Sequence, residues 1–395
     1  MKGLWLYFSK AVSVVMALGL HAYVARQSPD QYGALPLALQ WLAFLTFAAD
    51  FGTTTVAPRE WLMAPNAQEY EKGVNSLRFG MAWILATSVA LVGIVLPWPL
   101  GLQLAPALIL WPFGVDWMLK CRGLFGRLAW RQMLASFLQV LFVWASFSFV
   151  GASFGPGWLP LALSLGVGLS FVFIRPKGMT PESSVGWRIP GIASVSARVT
   201  KPNALPFFRR QSVPFFAFVL MHASYGLGLF VLGFSSAVHP ESIALLSQHG
   251  ALYTLLASGS ALVVIAQEVG LSKAGVQARN PWVFWASLAL VGLMGLAPFL
   301  LPLWLGADFI VSTSLWWGFV ALAVLFGLRH MIIHQGYFDT HYRPVIWANG
   351  AGLIVQVSLW IGAFQPSAGP WESHWPVAFL CAGEAVSLGV YLWRK

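Results

Sequence analysis

One stretch decides the fold: residues 32–60 read YGALPLALQWLAFLTFAADFGTTTVAPRE. A Tyr-Gly pair opens this stretch, and a run without charged residues follows from Ala34 to Ala49. The length and polarity of that run predict a membrane-crossing helix. The unusual residue is Asp50, because ionisable groups inside a membrane are costly and usually face the interior of a helix bundle or a wet cavity. The chain returns to water at Arg59-Glu60.

Similar apolar runs recur along the whole chain of 395 residues. Hydrophobic residues make up 58% of the chain and charged residues only 9%, whereas soluble proteins carry about a quarter charged residues. Unbroken apolar runs of about 20 residues predict transmembrane helices, and a membrane β-barrel would instead show alternating segments of about ten residues. The predicted fold class is therefore an all-α, polytopic membrane protein.

We predict twelve membrane spans. Breaks such as Pro97-Trp98-Pro99 and Gly155-Pro156-Gly157 separate neighbouring runs. In chain order, the spans cover approximately residues 4–25, 34–56, 79–97, 100–119, 132–152, 158–174, 212–233, 243–266, 281–301, 312–333, 344–364 and 374–393.

The basic residues predict the orientation of the chain in the membrane. With the N-terminus in the cytoplasm, all 23 Lys and Arg residues fall in cytoplasmic segments except Arg26, in an outer loop, Lys10, inside span 1, and Arg329, near the inner end of span 10. This asymmetry follows the positive-inside rule. Because twelve is an even number, both termini are predicted to be cytoplasmic. The net charge of +10 is then a signal of topology, and we expect no nucleic-acid partner.

A long basic loop divides the predicted spans into two groups of six. It covers residues 175–211 and carries seven basic residues against one acid, Glu182. We predict an N-terminal six-helix lobe over residues 1–174, this cytoplasmic linker, and a C-terminal six-helix lobe over residues 212–395. Such halves with a linker between them are typical of transporters. The basic linker either contacts anionic lipid headgroups or serves only as a tether.

Three charged residues of the first lobe are candidate functional groups. Lys10 either snorkels to the inner surface or faces a cavity. Asp50 either bonds a neighbouring span or is a cavity acid, paired with Lys10 or with an arginine from another span. Asp116 lies four residues before Lys120, so the two share a helix face. It forms either a loop salt bridge or part of a positive vestibule that attracts an anionic substrate.

The candidates in the second lobe are cations and histidines. Arg210 opens span 7, His222 lies inside it, and Arg329 closes span 10. His330 and His334 have the spacing of a helical metal-binding pair, but two ligands without a third nearby predict no metal site. The sequence has no glycine-rich loop for nucleotide phosphates, so transport would use an ion gradient or run downhill.

The chain resembles the Wzx-type polysaccharide flippases of the multidrug/oligosaccharidyl-lipid/polysaccharide (MOP) exporter superfamily. The resemblance rests on Tyr32-Gly33, Asp50-Phe51-Gly52 and Arg59-Glu60. In that family a Tyr-Gly pair, an apolar run, a turn with an acid or glycine and an Arg-Glu pair follow in this order. Strong similarity covers about the first 60 residues, and the remaining chain is similar in span count, orientation and basic linker.

The resemblance implies two lobes around a central cavity that opens alternately to each face of a bacterial inner membrane. The substrate would be a polyprenyl-pyrophosphate-linked oligosaccharide, moved to the outer leaflet for the assembly of O-antigen, capsule or exopolysaccharide. Other polysaccharide assembly proteins and anionic membrane lipids are expected partners. No cofactor is expected, and coupling to a proton or sodium gradient is left open. The candidates for binding pyrophosphate or sugar are Lys10, Arg210, His222 and Arg329.

A second group of residues is predicted to act in gating, structure or coupling. The predicted orientation places the end of span 2 near the basic cytoplasmic face, where it would shape the inner gate of the first lobe. This group consists of Asp50, Phe51, Gly52, Arg59, Glu60 and Asp116.

Two alternatives remain open at this point. A cation-coupled antiporter for drugs or small molecules, from the same superfamily, would share the fold. A polytopic membrane acyltransferase would use His330 or His334 as a catalytic residue. Polymerases and ligases of surface sugars carry a large outer loop, and all predicted outer loops here are short. We therefore predict a transporter and not an enzyme.

Overall fold

The structure, a computed structural model, is helical throughout the residues that it describes. No β-strand occurs in these ranges. The predicted linker falls mostly outside them, because residues 174–203 are not described, and Arg59 and Glu60 also lie outside. The described residues are 4–54, 57, 61, 67–95, 99–114, 116–122, 124–151, 155–173, 204–238, 242–274, 281–307, 309–338, 342–363 and 375–394.

The helices follow the apolar runs because a backbone in lipid must satisfy its hydrogen bonds internally. Pro99 and Pro281 each occupy the first position of a helix, where the missing N–H costs nothing. The helices of the first half are α1 (Leu4–Gln27), α2 (Ala34–Asp50), α3 (Ala67–Val95), α4 (Pro99–Leu110), α5 (Asp116–Cys121), α6 (Phe125–Val150) and α7 (Gly155–Phe173). Those of the second half are α8 (Ala204–Val238), α9 (Ser242–Ala274), α10 (Pro281–Gly295), α11 (Ala297–Leu305), α12 (Thr313–Phe338), α13 (Tyr342–Ala363) and α14 (Trp375–Arg394).

Each predicted span coincides with one helix or with two consecutive helices. Within the described chain, nine helical segments are long and apolar enough to cross a membrane. Helices α10 and α11, bent by 68°, make a tenth if the pair is one broken span. The chain is therefore a multi-pass membrane protein by the length and composition of its helices. The number of twelve spans and the side of the membrane on which the termini lie stay predictions.

Several helix boundaries differ from the predicted spans, and three of the differences bear on the charged residues or on the predicted linker. Helix α3 begins at Ala67, not at residue 79, and α8 begins at Ala204, inside the predicted linker. Span 4 is divided: α4 ends at Leu110, a single 3-10 turn follows at Trp111–Phe113, and α5 begins at Asp116. Pro112 explains this break, because proline lacks an N–H donor and clashes with the preceding helical turn.

The chain forms two compact units. The first comprises Met1–Leu20 and Trp41–Phe215, and the second comprises His21–Gln40 and Phe216–Lys395. The turn between α1 and α2 thus belongs to the second unit. The lobe boundaries predicted at residues 174 and 212 stay a prediction, because the chain between them is largely outside the described residues.

Each unit has its own helix packing. In the first unit α6 packs along α7, and α4 lies against both α3 and α7. In the second unit α13 packs along α14, which also contacts α12, and α10 lies against α9 and α12. Helices α13 and α14 touch through Gly352 and Gly383: a Cβ on Gly352 would lie 2.5 Å from the carbonyl oxygen of Gly383. Such small residues let membrane helices approach closely.

Candidate functional site

The turn that ends α2 is formed by Asp50-Phe51-Gly52. Phe51 and Gly52 have φ angles of 52° and 70°, so two consecutive residues adopt the left-handed conformation. Glycine adopts it freely, whereas for Phe51 it costs about 1–2 kcal/mol. The Asp50 carboxylate stabilises the turn, because Oδ1 accepts hydrogen bonds from Thr53 Oγ1 (3.0 Å) and Thr54 Oγ1 (2.8 Å). The backbone N–H of Thr54 donates to Oδ2 at 2.8 Å.

Asp50 also forms an ion pair with Arg78 of α3. Arg78 Nε lies 3.3 Å from Asp50 Oδ1, and the two side chains are 1% and 5% exposed. Arg78 Nη1 donates a hydrogen bond to the carbonyl oxygen of Gly114. The arginine therefore connects the end of α2 with α3 and with the segment before α5. Of the partners expected from the sequence, the structure gives Asp50 an arginine from another helix.

Phe51 fixes the same turn by aromatic packing. Its ring stacks on Phe215 with a centroid distance of 4.1 Å and on Phe208 with a centroid distance of 5.0 Å. Both partners lie in the first turns of α8 and belong to the first unit. Burial of Phe51, which is 1% exposed, offsets the cost of its left-handed backbone, since a buried aromatic side chain contributes about 1.5–3 kcal/mol.

A second buried ion pair joins Asp116, the first residue of α5, to Arg131 of α6. Arg131 Nη2 donates to Asp116 Oδ2, and Arg131 Nη1 lies 3.5 Å from Ser170 Oγ. The guanidinium lies over the ring of Phe171, 4.9 Å from its centroid. The side chains of Arg131 and Asp116 are 10% and 14% exposed. The carboxylate that the sequence placed beside Lys120 thus has an arginine of another helix as its partner.

A third ion pair of the first unit is more open. Arg122 Nη2 lies 3.0 Å from Glu71 Oε1, with the arginine side chain 32% exposed. Such a pair contributes about 0.2–1 kcal/mol. This pair extends a pattern in the first unit: Asp50, Glu71 and Asp116 each lie against an arginine.

The second unit has one fully buried charge cluster. Arg329 Nη1 donates to Glu384 Oε2 at 2.6 Å, and Arg329 Nη2 donates to Asn349 Oδ1. Asn349 Nδ2 in turn donates to the carbonyl oxygen of Ala217 at 2.9 Å. The guanidinium also lies over Tyr225, 5.0 Å from the ring centroid. These contacts connect α8, α12, α13 and α14 in the core of the unit.

Of the predicted substrate-binding residues, Arg329 and His222 of the second unit are close enough for the charge of the arginine to act on the histidine. Arg329 is at the centre of the buried cluster of the second unit, and His222 is half-buried on α8. Lys10 is half-buried on α1 in the first unit. Arg210 lies in α8, and its side chain is outside the described part of the chain. Their roles toward a substrate stay predictions.

His330 has a local structural contact. Its Nδ1 donates to the carbonyl oxygen of Phe326 at 2.9 Å, and its ring stacks on Phe326 with a centroid distance of 4.7 Å. The side chain of His334 is outside the described residues. Within those residues, no group of three His, Cys, Asp or Glu side chains is arranged to hold a metal ion.

The Tyr32-Gly33 pair is a packing element of the second unit. Tyr32 Oη and His21 Nδ1 are hydrogen-bonded at 2.7 Å. The N–H of Gly33 donates to Ser247 Oγ at 3.1 Å. A Cβ on Gly33 would lie 2.8 Å from Leu246 Cγ, so only glycine fits against α9. The Tyr-Gly pair that stands out in the sequence therefore has a role in close packing.

The sequence analysis did not identify which arginines neutralise Asp50 and Asp116. The charge count treats Arg78 and Arg131 as cytoplasmic residues that report orientation, whereas the structure buries both. The only local pattern that involves Arg78 is its position seven residues after Glu71, which places the two on one face of a helix. This spacing does not point to Asp50, the actual partner of Arg78. No local signal pairs Arg131 with Asp116, because the two residues are on different helices.

Comparison with known proteins gives no sequence match, since no protein-family model and no curated protein matches the chain. Solved structures do match. A multidrug resistance MATE family transporter of the MOP superfamily, in its inward-facing conformation, aligns with a TM-score of 0.63 and 13% identity over 100% of this chain and 97% of that one. Such a transporter in the outward-facing conformation aligns with a TM-score of 0.55 and 16% identity, over 99% and 94%. A mutant of the Vibrio cholerae MATE transporter VcmN aligns with a TM-score of 0.52 and 15% identity, over 100% and 97%.

The chain has the fold of MATE family transporters. At these identities the similarity shows the fold alone. Two of the three descriptions name the MOP superfamily, to which the sequence resemblance also pointed. The MATE-type fold does not distinguish a polysaccharide flippase from a drug transporter.

Proposed function

We propose that this chain is a transporter that moves a polyprenyl-pyrophosphate-linked oligosaccharide from the cytoplasmic to the outer leaflet of a bacterial inner membrane by alternating access. The supporting observation is the pairing of its acids. Each buried acid in the described part of the chain, namely Asp50, Glu71 and Glu384, lies against an arginine. The partly exposed Asp116 is paired in the same way.

This pairing favours an anionic substrate over a cationic one. An antiporter for cations needs an acid that exchanges its proton or metal ion for the drug. Here such an exchange would first have to break a buried ion pair, and removal of one partner from such a pair costs about 3–5 kcal/mol.

The proposed substrate is one that needs a protein to cross the membrane. An isolated charge transferred into hydrocarbon costs tens of kcal/mol, so a pyrophosphate with attached sugars does not cross unaided. We propose that Lys10, Arg210, His222 and Arg329 contact the pyrophosphate or the sugar. Lys10 is the first of these to test, because Arg329 is already bound by Glu384 and Asn349.

A second candidate function is a cation-coupled drug antiporter. It is favoured by the solved structures with the same fold, which are described as multidrug resistance MATE family transporters. The fold fits both functions equally well. A deletion experiment separates them.

The test is deletion of the gene in the host bacterium, followed by lipid extraction and analysis of surface polysaccharide. We expect lipid-linked oligosaccharide to accumulate and surface polysaccharide to be lost, and a plasmid copy to reverse both changes. Normal surface polysaccharide together with altered resistance to cationic dyes would instead support the antiporter.

Complementation with variants tests the proposed cations. Lys10→Ala is expected to reduce the recovery of surface polysaccharide, whereas Lys10→Arg keeps the charge and serves as the matched control. Full recovery with Lys10→Ala and with Arg210→Ala, at unchanged protein levels, would remove both residues from the proposed site.

A further inference from the structure

Four segments of the first unit meet at one polar cluster, which we call the Trp111 corner. It consists of Trp111 from the 3-10 turn after α4, Asp116 from α5, Arg131 from α6, and Ser170 and Phe171 from α7. The ring of Phe171 is central: Trp111 packs edge-on against it at a centroid distance of 5.1 Å. Arg131 lies over the same ring.

Three buried polar atoms of the Trp111 corner have no hydrogen-bond partner among the described residues. They are Arg131 Nε, Trp111 Nε1 and Asp116 Oδ1. The ion pair does not satisfy any of these three atoms, because it joins Arg131 Nη2 to Asp116 Oδ2. Each unmade hydrogen bond of a buried group costs about 1–3 kcal/mol. Three such atoms in one cluster are available to hydrogen-bond a polar ligand, or water, that reaches these partly exposed side chains.

A contrasting residue shows that a single unpartnered indole is not a sufficient signal. Trp117 Nε1 also has no partner in the described chain. That side chain is fully buried in an apolar cluster with Val74, Met118 and Tyr70. The Trp111 corner differs because its charged side chains retain 10–14% exposure, and because its unpartnered atoms include both donors and an acceptor.

The mixture of donors and an acceptor selects the chemistry of the ligand. A phosphate only accepts hydrogen bonds at its charged oxygens, and Asp116 would repel it. A cation would be repelled by Arg131. A hydroxyl group both donates and accepts, so it can donate to Asp116 Oδ1 and accept from Arg131 Nε or Trp111 Nε1. A neutral polyhydroxyl compound can make both kinds of hydrogen bond, as water can.

We propose that the Trp111 corner is a sugar-binding subsite, in which hydroxyl groups of the transported oligosaccharide bond to Trp111, Arg131 and Asp116. This inference rests on the proposed function, and it gives the sugar a site of its own, separate from the cations assigned to the pyrophosphate. Ser170 positions Arg131 through its hydroxyl group, which lies 3.5 Å from Nη1.

The test measures binding of two probes to the purified full-length protein in lipid nanodiscs. The first probe is a short isoprenyl diphosphate that carries one N-acetylhexosamine, and the second is the same isoprenyl diphosphate without sugar. The wild-type protein is expected to bind the sugar-bearing probe about 10-fold more tightly than the bare diphosphate, because one or two additional hydrogen bonds contribute about that much affinity. A version of the first probe with methylated hydroxyls is expected to bind no more tightly than the bare diphosphate. This comparison needs no variant of the protein.

Two variants and one matched control test the residues. Trp111→Phe keeps a large ring and removes the N–H, and Arg131→Lys keeps the charge beside Asp116 and removes Nε. Each is expected to bind the sugar-bearing probe about 3- to 10-fold more weakly, with unchanged binding of the bare diphosphate. Trp117→Phe makes the same chemical change in an apolar cluster, and it is expected to bind both probes as the wild-type protein does.

The outcomes separate the subsite from the function on which it rests. Equal binding of the two probes by the wild-type protein would overturn the sugar subsite and leave the proposed function intact. An undiminished preference for the sugar-bearing probe in both Trp111→Phe and Arg131→Lys would also overturn the sugar subsite and leave the proposed function intact. Binding of neither probe would overturn the proposed function and the subsite with it.

Discussion

At Asp50, one carboxylate both stabilises a turn and neutralises a buried arginine. Its hydrogen bonds from Thr53 and Thr54 hold the left-handed residues after α2. Its charge compensates Arg78, which is almost fully buried. This geometry explains why an acid stands at the end of an apolar span.

The Asp50→Asn variant tests the charge without changing the shape of the side chain. Arg78 would keep its bond to the carbonyl oxygen of Gly114 but would lose its counter-charge. We expect a loss of about 3–5 kcal/mol in the free energy of unfolding, measured by denaturation in detergent. The exposed acid Asp30 provides the control, since Asp30→Asn is expected to change stability by no more than about 0.5 kcal/mol. Equal stabilities of the two variants would contradict the buried pair.

Gly52 tests the backbone of the same turn. Its φ of 70° is unfavourable for other residues, whereas the space around a Cβ is ordinary, with Phe215 Cα at 3.7 Å. Gly52→Ala is therefore expected to lose about 1–2 kcal/mol from backbone strain alone. Gly19→Ala, in the open face of α1, is the control, and it is expected to be neutral or stabilising because alanine favours helix. A stable Gly52→Ala protein would argue against the left-handed turn.

At the scale of helices, α13 and α14 depend on glycine for their contact. A Cβ on Gly352 would overlap Ser387 Oγ and would lie 2.5 Å from the carbonyl oxygen of Gly383. The carbonyl belongs to the backbone, so the clash is relieved only if the helices move apart. Gly352→Ala is expected to lose about 1–3 kcal/mol, measured by thermal unfolding. Gly362 lies on the same helix with nothing near its Cβ position, and Gly362→Ala should leave the unfolding temperature almost unchanged.

The buried cluster around Arg329 holds four helices of the second unit together. Arg329→Gln leaves the Glu384 carboxylate without its counter-charge, so we expect a loss of about 3–5 kcal/mol. Arg343→Gln, at an exposed position of α13, is the matched control. The double variant Arg329→Met/Glu384→Leu removes both charges and is expected to recover most of the lost stability. If the double variant were no more stable than the single one, the pairing would not be the source of the effect.

The helices were predictable from the sequence, and their partners were not. Apolar runs predict where the chain is helical, because lipid admits few other backbone structures. The same criterion places the start of α3 too late, since the two polar turns before residue 79 look like a loop. In the structure these turns are helical, and they carry Glu71 and Arg78, whose charges are satisfied by Arg122 and Asp50. Hydropathy along the chain cannot report a partner that folding brings from another helix.

The candidate site shows the same limit. Asp50-Phe51-Gly52 stands out in the sequence, and its structural environment consists of Arg78, Phe208 and Phe215, which no motif marks. The Trp111 corner is built from three helices and a turn, so its composition emerges only after the chain has folded.

At the scale of the whole molecule, the MATE-type fold fits both candidate functions, and the paired acids favour the proposed movement of lipid-linked oligosaccharide across the membrane. The most direct measurement uses spheroplasts from the deletion strain, with and without a plasmid copy of the gene. A sugar-modifying enzyme added outside labels only the lipid-linked oligosaccharide that has reached the outer leaflet. We predict strong labelling with the plasmid copy and little labelling without it, at equal total amounts of the lipid. Equal labelling of both strains would contradict the claim.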